Sequence, residues 1–353
     1  MIVKKRHRSL CDRLMKTVLG KISVGIVLST GVLAVVGIGL YQRLPQDFQF
    51  VVRYAIKDLV WDFKAGLPAL GEGTLPEVSK LHFNIKHKDF TRLAYIREEA
   101  LGRGRLIKTP DDWVDAEIDY EGETFPAKVR LKGRLADHWN ENDTWSLNVE
   151  LKKGAALLGM RRFSIQHPKT RFFANEWLFH RLLNYTDLIS LRYQFISVSI
   201  NGMKPQLYAL EEGCSKELLE NNELREGPIL KFNNDYGWFW GTGVSIDFYN
   251  TDISVYGEKS LLEDLEQRKH FEKARSLLET WRRGGLKTSE VFDIGKWARF
   301  CAACDLLGSV HAVDYDNCRL YYNPVTSLIE PIGRDNNVIE DLTIGHDIHL
   351  VGA

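Results

Sequence analysis

The chain has 353 residues, a formal net charge of zero and 9 Trp. That length suits one large domain or two small ones with ample core. The balanced charge argues against a general nucleic-acid binder, which carries a basic excess. Low complexity and internal repeats are absent, so most of the chain is expected to fold. The 5 Cys form no recognisable framework. Cys301 and Cys304 make a CxxC with no second pair at zinc-ribbon spacing, and they fit the buried face of a helix.

The N-terminus opens with Lys4, Lys5, Arg6, Arg8, Arg13 and Lys16. No charged residue follows from Ile22 to Tyr41. About 20 apolar residues cross a bilayer as a helix. No small-residue cleavage site is obvious after the run, so it reads as a signal anchor. The basic flank stays cytoplasmic, which places the large C-terminal part outside the cytoplasm of a single-pass, bacterial inner-membrane protein. Apolar residues from Val51 to Phe63 fall at helical spacing, which suggests a helix at the membrane surface. A Gly/Pro-rich linker, GLPALGEGTLPE, comes next.

The first strand is predicted at Leu81–Ile85 and a helix at Phe90–Leu101. Trp113–Tyr120 and Thr124–Leu131 flank a hairpin turn. In the second of these strands Lys128, Arg130 and Lys132 share one face, either a solvated face or one that meets phosphate. Trp145–Leu151 and Arg162–Gln166 continue the sheet, and a helix with Ala174, Leu178 and Leu182 in register follows. Leu191–Ile200 is a strong strand, turned back by Asn201-Gly202 into Gln206–Leu210. Glu211 and Glu212 then stand at a strand end, where one caps a helix near Ser215 or contacts a ligand. Pro228–Asn233 is a further strand and carries Lys231. The aromatic stretch DYGWFWGTG has no spaced phosphate-loop pattern. Two long helices come next, with stripes at Leu261, Leu265, Leu277, Leu278 and Trp281 and then at Ile294, Trp297, Cys301, Cys304 and Gly308.

The second helix runs into Asp305–Asn337. Asp314, Asp316 and Asn317 precede a tight hairpin and Asp335 follows it. A hairpin returns the chain to its start, so these groups can meet at one end. Two acidic clusters of this kind suit phosphoryl transfer, where one group orients the attacking hydroxyl and the other holds magnesium.

The order of features resembles the spore coat protein H kinase family, an atypical secretory-type kinase group. The matching pieces are RLKG (Arg130–Gly133), ELKKG, LLGMRRFSIQH (Leu157–His167), the helix around Asn175–Leu183, ING–LYALEE (Ile200–Glu212), PILKFN and LLGSV…DN-x-RLYYNP…EPIGRD. They cover roughly Leu81 to Asn337. The resemblance implies an α+β fold, an atypical kinase-like mixed sheet with helices preceded by a single transmembrane helix. Its divisions are a basic cytoplasmic N-terminus (1–21), the anchor (22–41), a juxtamembrane helix and linker (42–80) and a kinase-like domain (81–353), shortened at its C-terminus. It implies a membrane-anchored kinase that moves the ATP γ-phosphoryl group to a protein or envelope component with Mg2+. Asp335 would hold the metal. Asp314 or Asp316 would be catalytic, with Asn317 beside them. Lys132, Glu212 and Lys231 would contact the nucleotide.

The sequence departs from the family at two motifs. The usual Pro-Trp-Asp-x-Asp reads Pro331-Ile332-Gly333-Arg334-Asp335, without the tryptophan and the first acid. The usual Asn-Trp-Asp is replaced by Ser309-Val310-His311. A non-catalytic envelope protein on the same scaffold is therefore the alternative. A glycan-handling pair of Asp314 and Asp335 ranks below both, because no aromatic sugar platform accompanies it. His346, Asp347 and His349 read as a solvated tail.

Overall fold

A computed structural model describes residues 78–233 and 248–336. All of them belong to one compact unit, Gly71–Ala353. The expected basic N-terminus, anchor and juxtamembrane helix lie outside the described residues. So do the aromatic stretch at 235–243 and the tail at 346–349.

The first half is built of strands. They are β1 (Lys80–Ile85), β2 (Val114–Tyr120), β3 (Glu123–Leu131), β4 (Leu147–Leu151), β5 (Arg162–Gln166), β6 (Tyr193–Ile200) and β7 (Gln206–Glu212). They close into a barrel in the order β1-β2-β3-β4-β5-β7-β6. β1 and β2 alternate buried and exposed residues along their length, as strands with one face inside a barrel must. Leu81, Phe83, Ile118, Val129, Leu147, Ile165, Ile196 and Leu210 fill the interior. Each such side chain contributes about 1.5–3 kcal/mol by leaving water. Asn201 and Gly202 both take positive φ, as a two-residue hairpin turn requires. Helix α1 (His87–Arg103) packs on the barrel through Leu93 and Ala100.

The second half is a four-stranded sheet in the order β11-β10-β8-β9. Its strands are β8 (Ile229–Asn233), β9 (Asp252–Val255), β10 (Arg319–Asn323) and β11 (Leu328–Ile332). Helices α2 (Asn175–Tyr185), α5 (Leu265–Arg282) and α7 (Ile294–Leu307) cover it. Short helices α3 (Lys216–Asn221), α4 (Glu258–Glu263), α6 (Thr288–Val291) and α8 (Val310–Val313) complete the chain. Leu230, Phe232, Ile253, Leu320 and Ile329 meet Phe179, Leu183, Leu278, Trp281 and Phe300 in this second core.

This architecture corrects the expected fold class. The strands form a closed barrel and a separate sheet, not one kinase-like mixed sheet. The closure comes from a parallel pairing of β1 with β6, Lys80 opposite Ser197 and Phe83 opposite Ile200. Partners so far apart in the chain leave no local signal. Among the described residues no helix is long and apolar enough to cross a membrane. The helical stripes also shift. Leu178 is exposed while Phe179 and Leu183 are buried, and the expected helix around Leu261–Trp281 breaks at Asp264, which caps α5 by accepting from Glu266 and Gln267 N–H.

Candidate functional site

The site lies where one end of the barrel meets the second sheet. β3 ends at Leu131, and Gly133 at φ +80° turns the chain sharply just beyond Lys132. A Cβ on Gly133 would lie 2.0 Å from the His138 ring, so only glycine allows both the turn and this close packing. The turn drives Lys132 inward, where it is only 6% exposed. Its Nζ donates to Ser164 Oγ at 2.7 Å and to Glu211 Oε2 at 2.9 Å. Gln166 donates to the same carboxylate oxygen at 2.7 Å, and Arg334 Nη2 lies 3.4 Å from the other. Burial alone would raise the Glu211 carboxyl, but Lys132, Arg334 and Arg171 hold it well below the usual carboxylate range. Burial pushes the Lys132 ammonium down to about 8 against the pull of Glu211. The two shifts favour opposite states. The carboxylate is the firmer member, because its three cationic neighbours and its hydrogen bonds all favour the charged form.

Asp335 follows β11. Arg171, buried on the turn after β5, reaches its Oδ1 at 3.0 Å, and His311 Nε2 lies 3.8 Å from Oδ2. Burial would raise this carboxyl, yet Arg171, His311 and Arg334 pull it down to about 2. Its backbone sits at φ +60°. Asp tolerates this left-handed conformation better than most residues. The consequence is that two successive N–H groups converge on one carboxylate. Glu176 of α2 accepts from Asp335 N at 2.8 Å and from Asn336 N at 2.6 Å. Paired N–H groups of this kind form an anion-binding nest, here filled by a buried side chain. Ser309 Oγ bonds Asn336 Oδ1 and ties α8 to the same point.

The remaining expected residues fall differently. Asn317 Nδ2 lies 2.7 Å from His311 Nε2, which links it to Asp335. Asp316 is partly buried and faces Arg134 of the barrel. Asp314 is exposed at the end of α8, where its carbonyl accepts from Asn317 and Cys318 N–H. Lys231 joins the site from β8, its ammonium pushed down to about 8 by burial and then by Arg319, Arg134 and Arg334. Glu212 points away from Lys132. It pairs with Arg192 and accepts the Arg192 backbone N–H at 2.9 Å. Of the two adjacent acids, Glu211 is the one that faces Lys132.

Sequence reasoning missed Arg171, Arg334, Glu176 and His311 as a partner of Asp335. The spacing of Glu176, Phe179, His180 and Leu183 was a usable signal, because i, i+3, i+4, i+7 marks one buried helix face. Tyr256 closes the cleft, accepting from Arg319 Nε at 2.6 Å and lying 3.4 Å from Arg334 Nη1. Beside it opens a cavity of about 410 Å³ lined by Arg161, Arg162, Cys214, Lys216 and Tyr256.

The donor set offers a resident magnesium ion few free carboxylate oxygens. Such an ion takes near-octahedral oxygen ligands, commonly one or two carboxylates with substrate phosphates. Both Glu211 oxygens are engaged by cations and an amide, while Asp335 pairs with Arg171 but its buried Oδ1 accepts no hydrogen bond among the described residues. Gly333 stands where the family resemblance has its first acid. A Cβ there would lie 2.2 Å from Leu183 Cδ1 and 3.0 Å from Phe179 Cε1, so a carboxylate would fit only if these buried side chains shifted. Among the described residues no group of three or more His, Cys, Asp or Glu is placed to hold a metal. No protein-family model matches the chain, and no curated protein matches it either.

Proposed function

We propose that the cleft binds the polyphosphate arm of a nucleotide and passes its terminal phosphoryl group to a hydroxyl acceptor, as the resemblance to the spore coat protein H kinase family implies. The observation that carries this reading is the buried Lys132–Glu211 pair, which opens onto Asp335 among an excess of basic side chains. Phosphoryl transfer asks the protein mainly for positioning and charge neutralisation. Lys132 meets the phosphates, and Glu211 fixes its ammonium. Arg334 and Lys231 neutralise charge from the second half. Asp316 orients the acceptor hydroxyl. The neighbouring cavity takes the nucleoside, since its volume falls within the usual range for small-molecule pockets.

One observation favours a second reading, binding without transfer. The position of the missing first acid is packed shut by Leu183 and Phe179. Titration calorimetry of ATP into the full chain, with a phosphotransfer assay beside it, separates the two. Lys132→Met is expected to weaken ATP at least tenfold, because it removes a charge-assisted contact of about 1.5–3 kcal/mol. Unchanged affinity in a folded Lys132→Met protein overturns the assignment.

A further inference from the structure

Resting on the reading just given, we propose that His180 is a positioning residue of the cleft, and that its ring sets the Glu176 carboxylate which holds Asp335 in place for the ligand. His180 lies on α2 four residues after Glu176, so the two side chains meet on one helix face. It is 4% exposed. Its Nδ1 accepts from Leu191 N–H at 3.2 Å, just before β6 of the barrel. A ring nitrogen that accepts carries no proton, so the ring proton sits on Nε2. Nε2 then donates to Glu176 Oε1 at 3.2 Å. Tyr193 stacks on the ring, with centroids 5.7 Å apart and planes 28° apart. The ring is thus fixed at both nitrogens and on one face.

The carboxylate depends on that contact. The last torsion of a glutamate is broad, so the plane of its carboxylate is set by its partners. Two of the donors to Glu176 are Asp335 N and Asn336 N, which belong to the segment it must hold. They move with that segment and cannot preset its acceptor. The ring belongs to α2 and is anchored to the barrel, so it places Oε1 independently of the segment. An acceptor held ready costs less to engage than a mobile one. Asn336 has further ties, because its side chain donates to Asn175 O at 3.2 Å and accepts from Ser309 Oγ. Asp335 N donates to Oε1, the oxygen that the ring holds. Loss of the ring donor therefore falls first on Asp335.

The test uses two substitutions in the full chain. His180→Gln places an amide nitrogen where Nε2 stands and keeps the donor to Glu176. His180→Asn keeps an acceptor near Leu191 N–H and loses that donor. Amide hydrogen exchange at Asp335 is expected to quicken about tenfold in His180→Asn and to stay within about twofold of the parent in His180→Gln, with the β10 amides unchanged in both. ATP affinity, from titration calorimetry, is expected to fall about tenfold in His180→Asn alone. Equal effects of the two substitutions, or parent-like exchange in His180→Asn, overturn the proposal, because a residue that only fills space gives either result. Faster exchange with unchanged ATP affinity also overturns it. Nitrogen NMR of the parent is expected to find the His180 proton on Nε2, and a proton on Nδ1 overturns the proposal even if neither variant folds. A parent that binds no ATP removes the nucleotide reading, and exchange alone then decides the link from His180 to Asp335.

Discussion

Removal of the Glu176 carboxylate should uncouple the two halves of the site. Glu176 is 0% exposed and accepts both the Asp335 and Asn336 N–H groups, at 2.8 and 2.6 Å. Glu176→Ala leaves two buried donors without an acceptor and opens a small void. Hydrogen bonds to a charged group contribute about 1.5–3 kcal/mol each, so the loss of two is on the order of 3–6 kcal/mol. That is a large share of the roughly 5–15 kcal/mol of a typical domain. Glu176→Gln keeps one carbonyl oxygen and should lose about half as much. Urea denaturation of both variants against the parent reads this order directly, as a fall in midpoint without a change in slope. A second readout is ligand affinity, which should fall in Glu176→Gln even where the protein stays folded, because Asp335 is no longer held at its left-handed φ. A Glu176→Ala protein within about 0.5 kcal/mol of the parent would refute the argument, since surface substitutions behave that way.

Glu212→Gln should destabilise the chain by about 1–3 kcal/mol through its lost pairing with Arg192, yet leave ATP affinity unchanged. Loss of ATP binding at full stability would instead return Glu212 to the site. The lysines also predict a pH dependence. Lys132 and Lys231 are pushed down to about 8 and Lys108 to about 7. In the unfolded chain they titrate near 10.4, so from about pH 7 to 10 the unfolded state binds more protons. Stability without ligand should therefore rise with pH across that window, by at most about 1.4 kcal/mol per pH unit for each buried lysine and less for exposed Lys108. Ligand affinity should move the opposite way, since phosphate favours the charged forms. Urea midpoints and calorimetry from pH 7 to about 10 follow both trends, and a stability that falls over this range contradicts the lowered lysines.

Local chemistry made much of the chain legible. Asn201-Gly202 announces the β6–β7 hairpin because both residues accept positive φ. The pair β10 and β11 is readable from RLYYN and LIEPI on either side of a turn. What escaped depends on contacts distant in sequence. Barrel closure rests on β1 meeting β6, and no period in either strand encodes its partner. Lys132 continues the outward face of β3 by alternation, yet a glycine turn carries it inside. The choice between Glu211 and Glu212 was hidden because β7 is buried on both faces from Tyr208 to Glu212. Arg171 sits in a turn that offers no motif, and Glu176 looked like an ordinary acid in the first turn of a helix.

Those adjacent glutamates also act as a check on strand alignment. In the native register Ser164 lies opposite Glu211 and Phe163 opposite Glu212. Each carboxylate then finds its own cation, Lys132 on one side and Arg192 on the other. A slip of β7 by one residue exchanges the two faces. A slip that sets Leu210 opposite Ser164 would leave the buried Lys132 without its carboxylate. Because the barrel is closed, no free edge absorbs the error, and every neighbouring strand would have to shift with it. The two ion pairs thus penalise misaligned versions of the barrel during folding.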